Sequence, residues 1–150
     1  MPNRTEALFG PAGNCEAFYA AGHKSTVQVF GWLRAQGLTA YEYQCGRGVR
    51  VSADAAAAIR RAAGENGIAV SVHAPYFISL ASAEEEKRDN SIRYILDSAR
   101  AVDAMGGDRI VVHPGGLGGR SRAEAAVIAC DTLMRAQAAL DGNGLGGVHI

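Results

Sequence analysis

Two histidines stand where short apolar runs break. Ile110-Val111-Val112-His113 stops at Pro114-Gly115-Gly116, and Val70-Ser71-Val72-His73 stops at Ala74-Pro75. A β-branched apolar run with proline or glycine behind it reads as a buried strand feeding a loop, so each histidine falls at the carboxyl end of its strand. In α/β folds that edge gathers ligands and catalytic groups. Neutral imidazole there suits zinc or manganese. An imidazole that only bonds a loop carbonyl fits the same pattern. Two histidines in any case leave a metal site incomplete, and further ligands must come from elsewhere.

Other side chains qualify by position. Glu42 and Gln44 alternate with Tyr41 and Tyr43 in a strand over 38–45. An inward carboxylate near a barrel mouth is a candidate outer-shell partner for a ligand histidine, and a solvated or loop-bonded glutamate is the plainer alternative. Arg47 and Arg50 lie in the loop after that strand, and Tyr76 and Phe77 follow His73. An arginine loop beside an aromatic loop suits a phosphate backbone with a stacking base or sugar. Phe77 equally suits packing against the next helix, whereas Tyr76 has a polar end for a wet surface. Cys45 reads as a small buried residue, His23 as a surface residue and His149 as packing at a strand start. No spacing assembles a Ser-His-Asp or Cys-His set.

The elements that must position these groups alternate regularly. Ala7-Leu8-Phe9 is a short strand candidate closed by Gly10-Pro11-Ala12-Gly13. A helix is expected from Ser25 to about Gln36, where Ser25 and Gln28 form a capping box and Gly37 is the stop. Ser52 caps a second helix ended by Gly67, ahead of a strand over 68–73. Ser82 and Glu85 form the box of a long third helix that ends at Gly106-Gly107, with Ile92, Ile95, Leu96, Ala99 and Val102 on one face. A strand over 109–113 follows. Ser121 and Glu124 box a fourth helix, with Gly142 as its stop, and Val148-His149-Ile150 begins a fifth strand. Strands alternating with helices imply a parallel sheet with right-handed crossovers. Neither GxGxxG after the first strand nor GxxxxGK[ST] anywhere is present, so both nucleotide-binding fingerprints are missing.

Four βα units and a strand start occupy 150 residues, whereas a barrel of eight units takes ~250. The expectation is therefore an α/β fold: the N-terminal half of a TIM (β/α)8 barrel, one domain over 1–150, truncated inside strand five. Such a half has a bare parallel edge, which invites self-association. Composition is that of an ordinary globular α/β chain, 48% hydrophobic and 20% charged. Fifteen basic residues balance fifteen acidic ones, so the whole-molecule field steers toward neither nucleic acid nor anionic membrane. Three unpaired-looking cysteines, Cys15, Cys45 and Cys130, argue for a reducing compartment. The Met-Pro-Asn-Arg-Thr-Glu start lacks the apolar core of a signal peptide, and no stretch is long enough to span a membrane. Cytoplasmic location is the resulting expectation.

His73-Ala74-Pro75-Tyr76-Phe77-Ile78-Ser79-Leu80 and His113-Pro114-Gly115-Gly116, 40 residues apart, resemble the endonuclease IV (apurinic endonuclease) family, whose barrels are related to xylose-isomerase-like enzymes. The resemblance covers essentially the whole chain, as the first half of that barrel. It implies a trinuclear zinc site and hydrolysis of the phosphodiester 5′ to an abasic site in DNA. His73 and His113 match the family's first two histidine ligands, Tyr76 a DNA-facing residue, and Arg47 a DNA-contacting loop. Gly10-Pro11-Ala12-Gly13 departs from a family turn that usually contains a histidine. The family's later glutamate, aspartate and histidine ligands fall beyond Ile150. The 150 residues alone are thus expected neither to hold the full cluster nor to cleave DNA. A sugar isomerase or epimerase with a single divalent metal, and a non-catalytic metal-binding half-barrel, are the competing readings.

Overall fold

The computed structural model describes residues 7–150, so the reading of the Met1–Glu6 start lies outside the described residues. Its elements in chain order are α1 (Glu16–Ala20), a 3-10 turn (Thr26–Gln28), α2 (Val29–Ala35), β1 (Ala40–Gln44), α3 (Ala53–Asn66), β2 (Ala69–His73), α4 (Glu85–Ala104), β3 (Ile110–Val111) and α5 (Arg122–Gly142). β1, β2 and β3 lie side by side in that order, and both pairings are parallel. The α/β partial barrel expected from the alternation of elements is what the chain forms.

Register divides the sheet into two faces. Tyr41 pairs with Val70, and Tyr43 with Val72, which also pairs with Ile110. These residues point toward the helices, where Phe30 of α2 meets Tyr41 edge-on, with ring centroids 5.4 Å apart. Ile95, Ala99 and Val102 of α4 are completely buried there, as their shared face requires, with Ile92 and Leu96 partly buried beside them. On the opposite face, Glu42 pairs with Ser71, and Gln44 with His73, which also pairs with Val111.

The expected strand at Ala7-Leu8-Phe9 is displaced along the chain. No regular strand forms there, and the pairing with β1 comes from Phe9 to Gly13. The Phe9 carbonyl accepts from Thr39 and Ala40, the Pro11 carbonyl accepts from Glu42, and Gly13 donates to the Glu42 carbonyl. The residues that read as a closing loop therefore run beside the sheet. Gly10 is what lets them approach: a Cβ there would lie 1.6 Å from the Ala40 carbonyl oxygen. At the other edge, Ile110 donates to the His149 carbonyl and His149 to the Asp108 carbonyl, which is the parallel start of a fifth strand.

Both halves of the capping boxes at Ser25–Gln28 and Ser121–Glu124 are formed, and Ser52 accepts from Ala55 at the start of α3. The Ser82–Glu85 box is not. Ser82 is buried, its hydroxyl accepts from the Glu84 backbone, and α4 begins at Glu85 with no side-chain cap. Its carbonyl is held by Arg88, 2.7 Å away. Gly142 also fails as a stop: it is the last residue of α5, and Gly144 supplies the left-handed turn. The strand expected over 109–113 is regular only at Ile110–Val111. Pro114 and the left-handed Gly115 bend the chain away, since proline cannot donate to a ladder. His149 is exposed and Val148 fills the core instead, while His23 is half-buried and stacks on Phe18. No helix among the described residues is long and apolar enough to cross a membrane.

Candidate metal centre

The two histidines meet. β2 delivers His73 as its last residue, and His113 stands two residues past the end of β3. Their Nε2 atoms face each other at 3.0 Å, although 40 residues separate them. His73 is 6% exposed, whereas His113 opens to solvent. His73 Nδ1 lies 2.8 Å from the Ala74 carbonyl oxygen. A carbonyl only accepts, so Nδ1 carries the hydrogen and Nε2 presents its lone pair to His113. His113 Nε2 then donates to His73 Nε2 when both rings are neutral.

That geometry fits a divalent cation. Two imidazole nitrogens bound to one tetrahedral zinc are about 3.3 Å apart, given Zn–N near 2.0–2.1 Å, so an opening of a few tenths of an ångström would admit the ion. The Ala74 carbonyl fixes the tautomer and ring orientation, as an acceptor behind a ligand imidazole would. Of the two readings of the imidazoles, the bond to a loop carbonyl is made at His73 through Nδ1, and its Nε2 is left facing His113. Among the described residues no group of three or more His, Cys, Asp or Glu side chains gathers at one point, so the two imidazoles are the donors that could face such an ion here.

Tyr76 lies over the pair, its ring centroid 4.9 Å from that of His73 and 5.4 Å from that of His113. The loop after β1 holds it there. The Tyr76 backbone donates to the Gly46 carbonyl at 3.1 Å, and the ring fills the space a side chain at Gly46 would need: a Cβ would sit 2.7 Å from Tyr76 Cε2. By composition Gly46 is part of a turn. Its role as the bed of an aromatic ring depends on a contact far along the chain that local pattern does not encode.

The other candidates scatter. Glu42 shares the open face of the sheet with His73, but its carboxylate accepts from Gln44 at 2.9 Å, and no hydrogen bond joins it to either histidine. Arg47 is exposed and points into a groove between the start of α3 and α4. Phe77 turns into the same groove, 5.9 Å from the Tyr94 ring of α4. Cys45 is buried, and that burial pushes its thiol up to about 11. It donates its backbone N–H to the His73 carbonyl at 3.0 Å.

A family model described as xylose isomerase-like TIM barrel matches residues 30–145. The chain belongs to that family. An uncharacterized protein of Methanocaldococcus jannaschii is 40% identical over 83 residues, covering 55% of this chain and 29% of its own length. A probable endonuclease 4 of Mycoplasmoides gallisepticum is 41% identical over 44 residues, 29% of this chain and 14% of its own. Among solved structures, D-psicose 3-epimerase from Clostridium cellulolyticum superposes with a TM-score of 0.65 at 12% identity, over 83% of this chain and 45% of that one. Endonuclease IV from Thermus thermophilus superposes at 0.59 with 24% identity, over 81% and 42%. The chain spans less than a third of the length of these curated relatives and less than half of these solved chains. In this xylose isomerase-like barrel the His73–His113 pair lies at the carboxyl ends of neighbouring strands, the edge on which barrel enzymes of many chemistries build their sites.

Proposed function

We propose that the protein supplies the first strands of a metal-dependent phosphodiesterase mouth that acts on abasic sites in DNA. The observation that carries the reading is the convergence of His73 and His113 Nε2 at 3.0 Å beneath the Tyr76 ring. Support comes from the endonuclease 4 relatives, which match short stretches at 41% and 38% identity. A bound zinc or manganese ion would lower the pKa of a coordinated water and offset phosphate charge. The chain's own residues do the positioning. His73 and His113 would hold the ion, with the Ala74 carbonyl keeping the His73 ring in the tautomer that leaves Nε2 free to bind. Tyr76 offers a flat, amphipathic wall against a sugar or base beside the reacting phosphate. A cluster of three zinc ions needs carboxylates that the described residues do not bring to this point.

The test pairs metal binding with cleavage. The 150-residue chain is expected to bind one divalent cation, followed by calorimetry or by cobalt absorption. His73→Ala and His113→Ala are each expected to weaken binding by more than the ~10–100-fold lost with an outer-shell partner. The chain alone is expected to leave an abasic-site duplex intact; chelator-sensitive cleavage would show that two histidines suffice and overturn the incomplete-site reading. Turnover of a ketose by the longer family barrel carrying these residues, with abasic DNA untouched, would replace the nuclease by a sugar epimerase.

A further inference from the structure

Ile78, Leu80, Ala81 and Ser82 in the loop after β2 are buried, although they form neither helix nor strand. A buried irregular segment must find partners elsewhere for its backbone groups. Ser79 donates its N–H to the Ser91 hydroxyl of α4 at 2.9 Å. The Leu80 carbonyl accepts from the Thr132 hydroxyl of α5 at 2.8 Å. Two further bonds reach the loop after β3. Leu80 donates its N–H to the Pro114 carbonyl at 2.9 Å, and the Ala81 carbonyl accepts from Arg120 Nη1 at 3.1 Å. The two loops also meet backbone to backbone, since a Cβ on Gly115 would lie 2.9 Å from Ser79 Cα.

This seam bears unequally on the two histidines. His73 is the last residue of β2 and is fixed through Nδ1. His113 opens to solvent past the end of β3, and Gly115, Gly116, Gly118 and Gly119 follow it. Glycine has the most backbone freedom to lose, so the place of His113 depends on what ties that loop down. Arg120 closes the glycine run with a bond from a charged donor, the stronger class. Gly118 leaves room for it: a Cβ there would lie 3.1 Å from Arg120 Nη1 and 3.3 Å from the Ala81 carbonyl oxygen. Thr132 holds the segment from the other side. It is completely buried. A helical threonine hydroxyl commonly returns to the carbonyl four residues back; here that carbonyl, of Ile128, is 3.0 Å away and the Leu80 carbonyl is nearer. We propose that Arg120 and Thr132 are positioning residues for the His73–His113 pair. They hold the Leu80–Ala81 segment, which through Pro114 sets how closely His113 Nε2 approaches His73 Nε2. The coupling stands on these hydrogen bonds alone, while its consequence for a bound cation rests on the metal reading above.

The experiment compares the parent chain with Arg120→Ala, Thr132→Val, Thr132→Ser and Arg135→Ala, by proton NMR without metal and by absorption on titration with cobalt(II). Valine keeps the shape of Thr132 without its hydroxyl, and serine keeps the hydroxyl. Arg135→Ala breaks a bridge to Asp89 that joins α5 to α4 away from the two loops. Circular dichroism selects conditions in which each variant is folded, so that lost stability is not read as lost position. Arg120→Ala, in a surface loop, keeps the test available if Thr132→Val does not fold. In the parent the two imidazole rings, with centroids 4.9 Å apart, should show a nuclear Overhauser contact. Arg120→Ala and Thr132→Val are expected to weaken that contact and to weaken cobalt binding about three- to tenfold, less than the ~10–100-fold lost with a partner that touches a ligand directly. Thr132→Ser and Arg135→Ala are expected to keep both at the parent's level. The proposal is overturned if either folded Arg120→Ala or folded Thr132→Val keeps the ring contact and binds cobalt as the parent does, or if Arg135→Ala loses as much as they do. A parent that binds no cobalt, with the ring contact still lost in the two variants, would sink the metal reading and leave the positioning role standing. Cobalt binding by the parent with both variants unaffected would do the reverse.

Discussion

The two faces of the β1–β2–β3 sheet are built by opposite rules. On the helix side Tyr41, Val70, Val72 and Ile110 are buried against Phe30, Leu33, Ile95 and Val102. On the other side Glu42 and Ser71 are half-buried, Gln44 is exposed and Val111 is 40% exposed. Only His73 on that face is withdrawn from solvent. Strand periodicity sends alternate residues to opposite faces, so one pentapeptide, Ala69-Val70-Ser71-Val72-His73, contributes to the core through Val70 and Val72 and to the site through His73. The division teaches where each kind of cost should fall: stability on the helix side, chemistry at the mouth.

Substitution on each face should separate the two. Ile95→Ala deletes a completely buried side chain and is expected to cost about 2–5 kcal/mol of unfolding free energy. Glu42→Ala, on the open face, removes a bond to an exposed glutamine and is expected to stay within about 0.5 kcal/mol. Urea unfolding monitored by circular dichroism measures both. A comparable loss from Glu42→Ala would mean that the open face carries structural weight and that the contrast is false.

The apolar half of this division was legible from the sequence, because it is periodic. Val70, Val72, Ile110 and the α4 stripe announce their faces within a few residues, and Ser25, Ser52 and Ser121 cap helices by bonds that span three positions. What failed to show depends on partners far along the chain. Ser82 has the local signature of a cap, yet burial gives its hydroxyl to Glu84. Gly10-Pro11-Ala12-Gly13 has the composition of a turn, yet it lies along β1 because Gly10 tolerates the Ala40 carbonyl. At the site the two histidines were readable as strand ends. Their Nε2 contact, the Ala74 acceptor and the departure of Arg47 toward α4 are set by register and loop path.

A smaller effect sharpens the contrast at the mouth. Gly46→Ala places a methyl where Tyr76 Cε2 and Cδ2 now lie, at 2.7 and 3.0 Å. The ring can swing outward, since Tyr76 is 62% exposed, so the fold survives. The contact with the imidazoles is lost, at about 0.5–1.5 kcal/mol for an aromatic pair. Proton resonances of the His73 and His113 rings should move toward their positions in Tyr76→Ala, which removes the ring outright. Unchanged shifts would mean that Gly46 does not seat the ring.

The least perturbing test uses the cysteine at the seam between the faces. Cys45 follows Gln44 and precedes Gly46; its side chain is 2% exposed and its thiol is raised to about 11 by burial. An ordinary thiol ionises near 8.5, and only the thiolate attacks a disulfide reagent. At about pH 8, just below that ordinary value, the exposed Cys130 should therefore react promptly and Cys45 slowly, with all three thiols reacting once urea unfolds the chain. The same shift sets a sign for stability. Between about 8.5 and 11 the unfolded chain has released the Cys45 proton while the folded chain keeps it, so the folded state binds more protons and stability falls as pH rises through that window. Replacing Cys45 by Ala should remove that part of the slope. Rapid labelling of Cys45 in the native protein under those conditions would show that the loop between β1 and Gly46 opens often, and a loop that opens often cannot hold Tyr76 over the histidines.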